Sequence, residues 1–226
     1  MRFQDAAKDA RAVVYAGIQA DPQVAHTAAL LADATPAQRL LARAVMNGET
    51  TDAGRWRAMF PSLFGPGATA DAGDKARSED ILTASLAVAD RGEQVRSQVR
   101  GALVEELTAM LLARRVDAAA VRRERRILFD GVRAEIHPYD VTVEHDGAAE
   151  AYDCKWGARG INADVLHQLD DARSNAADED ERLTVALVVF DARRSCDVRL
   201  ARQTAPHEST AIVTIETLDG LAGQGR

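Results

Sequence analysis

Over the first 60 residues apolar positions recur at helical spacing, with small alanines set between polar groups. Residues 4–19 and 22–34 each read as a helix. Thr35 and Pro36 read as an N-cap with proline in the first turn of a third, AQRLLARAVMNG, which Gly48 ends. TTDAGRWRAMF begins a fourth, and both a helix–turn–helix DNA reader and a plain packed helix pair are open readings there. Residues 61–77, PSLFGPGATADAGDKAR, are rich in proline, glycine and small polar groups and read as a linker. A long helix follows from about Ser78 to Arg115, with Gly92 and Gly101 as candidate breaks.

From Ile127 the period shortens. ILF, VTV and AYDCKW are β-prone runs separated by the turn signals Asp130-Gly131 and Asp146-Gly147. Helical spacing returns over 162–177, LTVALVVF at 183–190 reads as a buried strand, and AIVTIETL at 211–218 as another. The predicted fold class is therefore α/β: a mixed sheet flanked by helices at 78–226, preceded by an all-helical N-terminal domain and linker at 1–77.

Composition narrows the picture. The 226 residues carry two cysteines, Cys154 and Cys196, too few for a disulfide framework. The longest apolar run is VALVVF, and the N-terminus has charges where a signal peptide needs apolar residues, so the expectation is a soluble, cytoplasmic protein with no membrane partner. The net charge of −7 disfavours a broad nucleic-acid surface. Arg114, Arg115, Arg122, Arg123, Arg125, Arg126 and Arg133 nevertheless cluster, opposed by Asp117, Glu124 and Asp130. They read either as a solvated helix end and linker or, at Arg122, Arg123, Arg125 and Arg126, as substrate-binding cations. No phosphate-binding G-x-x-x-x-G-K-[ST] loop is present.

Lysine is scarce: Lys8, Lys75 and Lys155 are the only three among 28 basic residues. Lys155 lies in AYDCKW, a segment with buried character. Residues two apart on a strand share a face, so Asp153 and Lys155 point one way while Tyr152, Cys154 and Trp156 pack on the other. If 138–144 and 151–156 form a hairpin, Asp140 converges on Asp153 with Lys155 beside them. Two carboxylates at that range repel unless a cation intervenes, and oxygen-only ligation suits Mg²⁺. Glu144 and Glu150 are alternative carboxylates. His137, His145 and His167 match no zinc spacing.

Four elements in this order resemble the PD-(D/E)xK nuclease superfamily over about residues 98–192. GALVEELTAMLLARR resembles the opening helix of Mrr-type restriction enzymes, PYDVTVE the strand with the first metal-binding aspartate, YDCKW the (D/E)xK element, and INADVLHQLDDARSNA the following helix with its glutamine. In this chain Tyr139 separates Pro138 from Asp140, and the helix offers both Glu105 and Glu106; the family pattern favours Glu105 and the helical phase favours Glu106. The resemblance implies a restriction-endonuclease-like fold in which Asp140, Asp153 and Glu105 hold Mg²⁺ or Mn²⁺, with the Cys154 carbonyl as an added ligand. Lys155 would orient the attacking water, and Gln168 would steady the lysine or a phosphate oxygen.

The implied activity is Mg-dependent hydrolysis of DNA phosphodiester bonds, leaving a 5′-phosphate, in restriction, phage defence or repair. The implied assembly is a homodimer, with a partner protein able to dock on the helical N-terminus. The rival expectations are a non-catalytic nucleic-acid-binding or assembly module on the same fold, and an RNA-cleaving toxin.

Overall fold

The computed structural model describes residues 1–6, 10–66, 71–132, 137–145, 148–205 and 210–223, with backbone only at 10–13. Lys8, Arg133, the Asp146-Gly147 turn and residues 67–70 of the expected linker lie outside the described residues. The chain divides into two compact units, Ala12–Leu107 and Met1–Arg11 with Thr108–Arg226.

The first unit is helical. Its elements are α1 (Ala10–Gln19), α2 (Pro22–Ala32), α3 (Pro36–Asn47), α4 (Ala53–Met59), α5 (Pro61–Phe64), α6 (Ala72–Ala89) and most of α7 (Glu93–Leu112). Side-chain caps set the starts. Asp21, Asp52 and Asp71 each accept from a first-turn amide, and Thr35 with Gln38 forms a reciprocal capping box ahead of Pro36. α2 and α3 pack on α6. Leu31, Leu41, Val45, Met46, Ile81 and Leu82 are buried in this unit, as is Arg39, which is 0 % exposed. The Arg39 Nε donates to the Leu31 carbonyl at 3.1 Å, at the C-terminal end of α2, where carbonyls lack helical partners.

Two sequence expectations are corrected here. The stretch 61–77 is not a linker through its length: Pro61 opens α5, and Asp71, accepting from the Asp74 amide at 2.8 Å, launches α6 before Ser78. The long helix breaks between α6 and α7, at the candidate Gly92, while Gly101 sits inside α7. The helical unit thus reaches Leu107, past the expected boundary at 77.

The second unit is a six-stranded mixed sheet in the order β1 (Arg2–Asp5), β2 (Val121–Leu128), β3 (Tyr139–His145), β4 (Ala148–Lys155), β5 (Leu183–Val189), β6 (Ala211–Val213). β1 to β4 are antiparallel, and β5 and β6 continue parallel to β4. The parallel step needs a crossover, which α8 (Ala163–Asp178) supplies. Leu166, Leu169 and Ala172 of α8 share a core with Ile127, Tyr139, Ala151, Val185, Leu187 and Val189. At the end of α7, the Thr108 hydroxyl lies 3.5 Å from the Cys154 sulfur.

Four elements differ from the sequence reading. Residues 2–5 form an edge strand rather than the start of a helix, with Phe3 opposite Ile127 and Asp5 opposite Arg125. The arginine-rich stretch Arg122–Arg126 is strand β2, not a helix end and linker. The last strand stops at Val213, where a turn closed by the Thr217 hydroxyl on the Thr214 amide (2.9 Å) takes over. An unexpected α9 (Arg193–Leu200) precedes it, with Cys196 its buried residue. Burial and the charges of Asp191, Asp197 and Glu216 push the Cys196 thiol up to about 11.

Candidate functional site

β2, β3 and β4 run side by side, and Asp140, Asp153 and Lys155 lie at the end of that ribbon where β3 begins and β4 ends. The Asp140 carboxylate on β3 accepts the Cys154 amide of β4 at 2.5 Å, which fixes it between Asp153 and Lys155 in sequence. Asp153 is 7 % exposed, and the Lys155 ammonium donates to it. Burial alone would lower the lysine pKa. The charges of Asp153 and Asp140 and the hydrogen bond to Asp153 outweigh burial and hold it above its ordinary value. The ammonium therefore stays charged through neutral pH, and stability drawn from this pairing is lost only as pH rises through that raised value. Tyr152 and Cys154 are buried, as Asp153 between them is, and Trp156, one residue past β4, stacks on Phe190 with ring centroids 5.0 Å apart.

Glu124 was not singled out from the sequence. The register pairs Arg123 with Val141 and Arg125 with Tyr139, so Glu124 lies across from Asp140. Carboxylate oxygens of the two approach within 4.8 Å. Glu124 also has φ 54°, a left-handed conformation that costs a non-glycine residue roughly 1–3 kcal/mol. The sequence signal was present but weak: in VRRERRILF one acid interrupts four arginines. We predict that Glu124→Gly raises the stability of the chain by about 1 kcal/mol, through relief of that strain and of repulsion by Asp140. A lowered midpoint of thermal unfolding would contradict it.

The remaining sequence candidates sit as follows. Glu105 is buried in the helical unit, accepting from the Tyr15 hydroxyl at 2.5 Å and the Gln19 amide at 2.8 Å, whereas Glu106 is half-buried. The Gln168 side-chain amide donates to the His137 carbonyl at 3.2 Å. Its main-chain carbonyl accepts from the Tyr139 hydroxyl at 3.3 Å. Arg125 is engaged by Glu144 (2.8 Å) and by Asp5, and Arg122 is exposed. Arg123 and Arg126 are half-buried. Glu144 and Glu150 are each bound to an arginine, Arg125 and Arg115 respectively. His137, His145 and His167 are exposed.

The donor set is all oxygen and anionic, beside the Lys155 ammonium. Ligand oxygens ~2.1 Å from an octahedral Mg²⁺ lie about 3 Å apart when adjacent, so the Glu124–Asp140 pair is within the range such an ion could draw together.

No protein-family model matches the chain, and no curated protein matches it. Among solved structures, protein VC1899 from Vibrio cholerae is similar at a TM-score of 0.45 and 16 % identity, over 98 % of this chain and 57 % of that one. The chain thus spans less than two thirds of that protein, and at this TM-score the likeness assigns neither fold family nor function. The α/β class with a mixed sheet flanked by helices is read from the structure itself. No helix among the described residues is long and apolar enough to cross a membrane.

Proposed function

We propose that the chain is a metal-dependent nuclease that hydrolyses DNA phosphodiester bonds at the β2–β3–β4 centre. The observation that carries this reading is Asp140 bonded to the Cys154 amide, inside the Asp153–Lys155 pair. Asp140 and Asp153 would hold Mg²⁺ or Mn²⁺, with Glu124 as an added carboxylate. When bound, the metal would supply Lewis-acid polarisation of the scissile phosphate and acidify the attacking water. Lys155 would orient that water and stabilise charge growing on the phosphate oxygens. Its ammonium suits this role because it stays protonated at neutral pH. Gln168, engaged at His137, would act through the placement of β3 rather than on the phosphate.

A second reading keeps a specific observation on its side. The net charge is −7 and Arg125 is committed to Glu144 and Asp5, leaving Arg122 as the exposed cation of the β2 cluster. That surface fits a non-catalytic binding or assembly module, or an enzyme that takes its substrate grip from a partner subunit or a second copy.

Incubation of the full chain with plasmid, linear single-stranded DNA and RNA, each with Mg²⁺, Mn²⁺ or EDTA, separates the readings. Metal-dependent cutting of DNA, lost in Asp140→Asn, is the expected outcome. A folded protein that cuts no substrate with either metal would overturn the nuclease proposal, and cutting confined to RNA would reassign its substrate.

A further inference from the structure

The turn after Lys155 is built around that side chain. The Phe190 amide donates to the Lys155 carbonyl at 2.8 Å, tying the end of β4 to the residue after β5. A short 3₁₀ turn, Ala158–Gly160, folds back over the lysine. A Cβ placed on Gly160 would stand 2.8 Å from Lys155 Cβ and Cγ and 2.9 Å from Cδ, so the turn lies directly on the lysine stem and leaves no room for a side chain. What fixes the turn is Asp191, 5 % exposed, one residue beyond Phe190. One of its carboxylate oxygens accepts the Ala158 amide at 3.0 Å and the other accepts the Ala192 amide at 2.8 Å. Its carbonyl accepts the Ile215 amide at 3.1 Å. The carboxylate thus bridges the turns that follow β4 and β5. An asparagine there would present one acceptor to two amides and turn a donor toward the other.

We infer that Asp191 is a positioning residue for Lys155: its buried carboxylate pins the 157–160 turn, and the turn, through Gly160, confines the lysine stem so that the ammonium is held at Asp153. A free lysine stem has four rotatable bonds, and a reacting group displaced by about 1 Å loses on the order of 100-fold in rate. The importance of Asp191 for turnover rests on the proposed role of Lys155; the confinement itself is a geometric statement that can be tested without any activity.

Lysine scarcity makes the test direct. With ¹³C-labelled lysine and glycine in the full chain, three lysine spin systems are expected, and Lys155→Arg assigns the third. The wild type is expected to show nuclear Overhauser cross-peaks between the Gly160 α-protons and the Lys155 side chain. Asp191→Ala, checked for folding by circular dichroism, is expected to lose them, with Asp191→Asn intermediate. Where the wild type cleaves DNA, kcat in Asp191→Ala should fall about 10- to 100-fold with KM nearly unchanged. Cross-peaks of undiminished intensity in Asp191→Ala overturn the inference. If that variant does not fold, Asp191→Asn decides on the same reading, undiminished cross-peaks again overturning it. If the wild type cleaves nothing but the cross-peaks depend on Asp191, the positioning stands and the nuclease proposal falls.

Discussion

Lys155→Met is expected to reduce DNA cleavage by about 100- to 1000-fold, the usual cost of removing one donor aimed at developing charge. Methionine keeps an unbranched stem able to lie under Gly160 while removing the ammonium, so the fold and the turn should persist. DNA binding, followed by fluorescence anisotropy with Ca²⁺ in place of Mg²⁺, should change far less than the rate. A rate within tenfold of the wild type would remove Lys155 from the chemistry.

Arg39→Ala is expected to cost the helical unit about 3–5 kcal/mol, from a cavity under α3 and from the lost guanidinium bonds to two carbonyls of α2, of which Leu31 keeps the Ala34 amide. Arg39 is 0 % exposed, and its guanidinium donates to the Leu31 carbonyl at 3.1 Å and the Ala32 carbonyl at 3.4 Å. A Trp156→Phe background leaves Trp56, which is in the helical unit, as the single tryptophan reporter for urea unfolding. Arg39→Met should cost less, because its stem fills part of the space. A loss below about 1 kcal/mol for Arg39→Ala would mean that water or a neighbouring group takes over the carbonyls.

What the sequence made legible is local. Thr35-Pro36 with Gln38 three residues after the cap marks the start of α3, because the capping box is written in four adjacent residues. The alternation in AYDCKW placed Asp153 and Lys155 together, since neighbours two apart on a strand share a face whatever surrounds them. The strand pairing of β3 with β4 followed from two β-prone runs and a turn signal. What stayed hidden depends on contacts distant in the chain. β1 is four residues whose strand character comes from pairing with β2, more than 100 positions away. Arg125 of β2 reads as solvated because its acidic partners, Asp5 and Glu144, come from other strands. Glu124 was hidden twice over: its register opposite Asp140 needs β2 to be known as a strand, and its left-handed backbone has no signature in a glutamate. Glu105 against Glu106 was open because both lie near the apolar stripe of α7. Glu105 is the buried one of the two, and its carboxylate accepts from Tyr15 and Gln19, about 90 residues upstream, which no local pattern in α7 announces.

The proposal stands on the carboxylates of β2, β3 and β4 holding a divalent cation beside Lys155, and Mn²⁺ tests that without any substrate. Titration of the full chain with Mn²⁺, followed by the electron paramagnetic resonance of the free ion, should show a saturable site in the wild type. Asp140→Asn should weaken it at least tenfold, since the ligand anchored on the Cys154 amide is lost. Binding of equal strength in Asp140→Asn and the wild type, or no saturable binding in a folded wild type, would contradict a metal centre at this position.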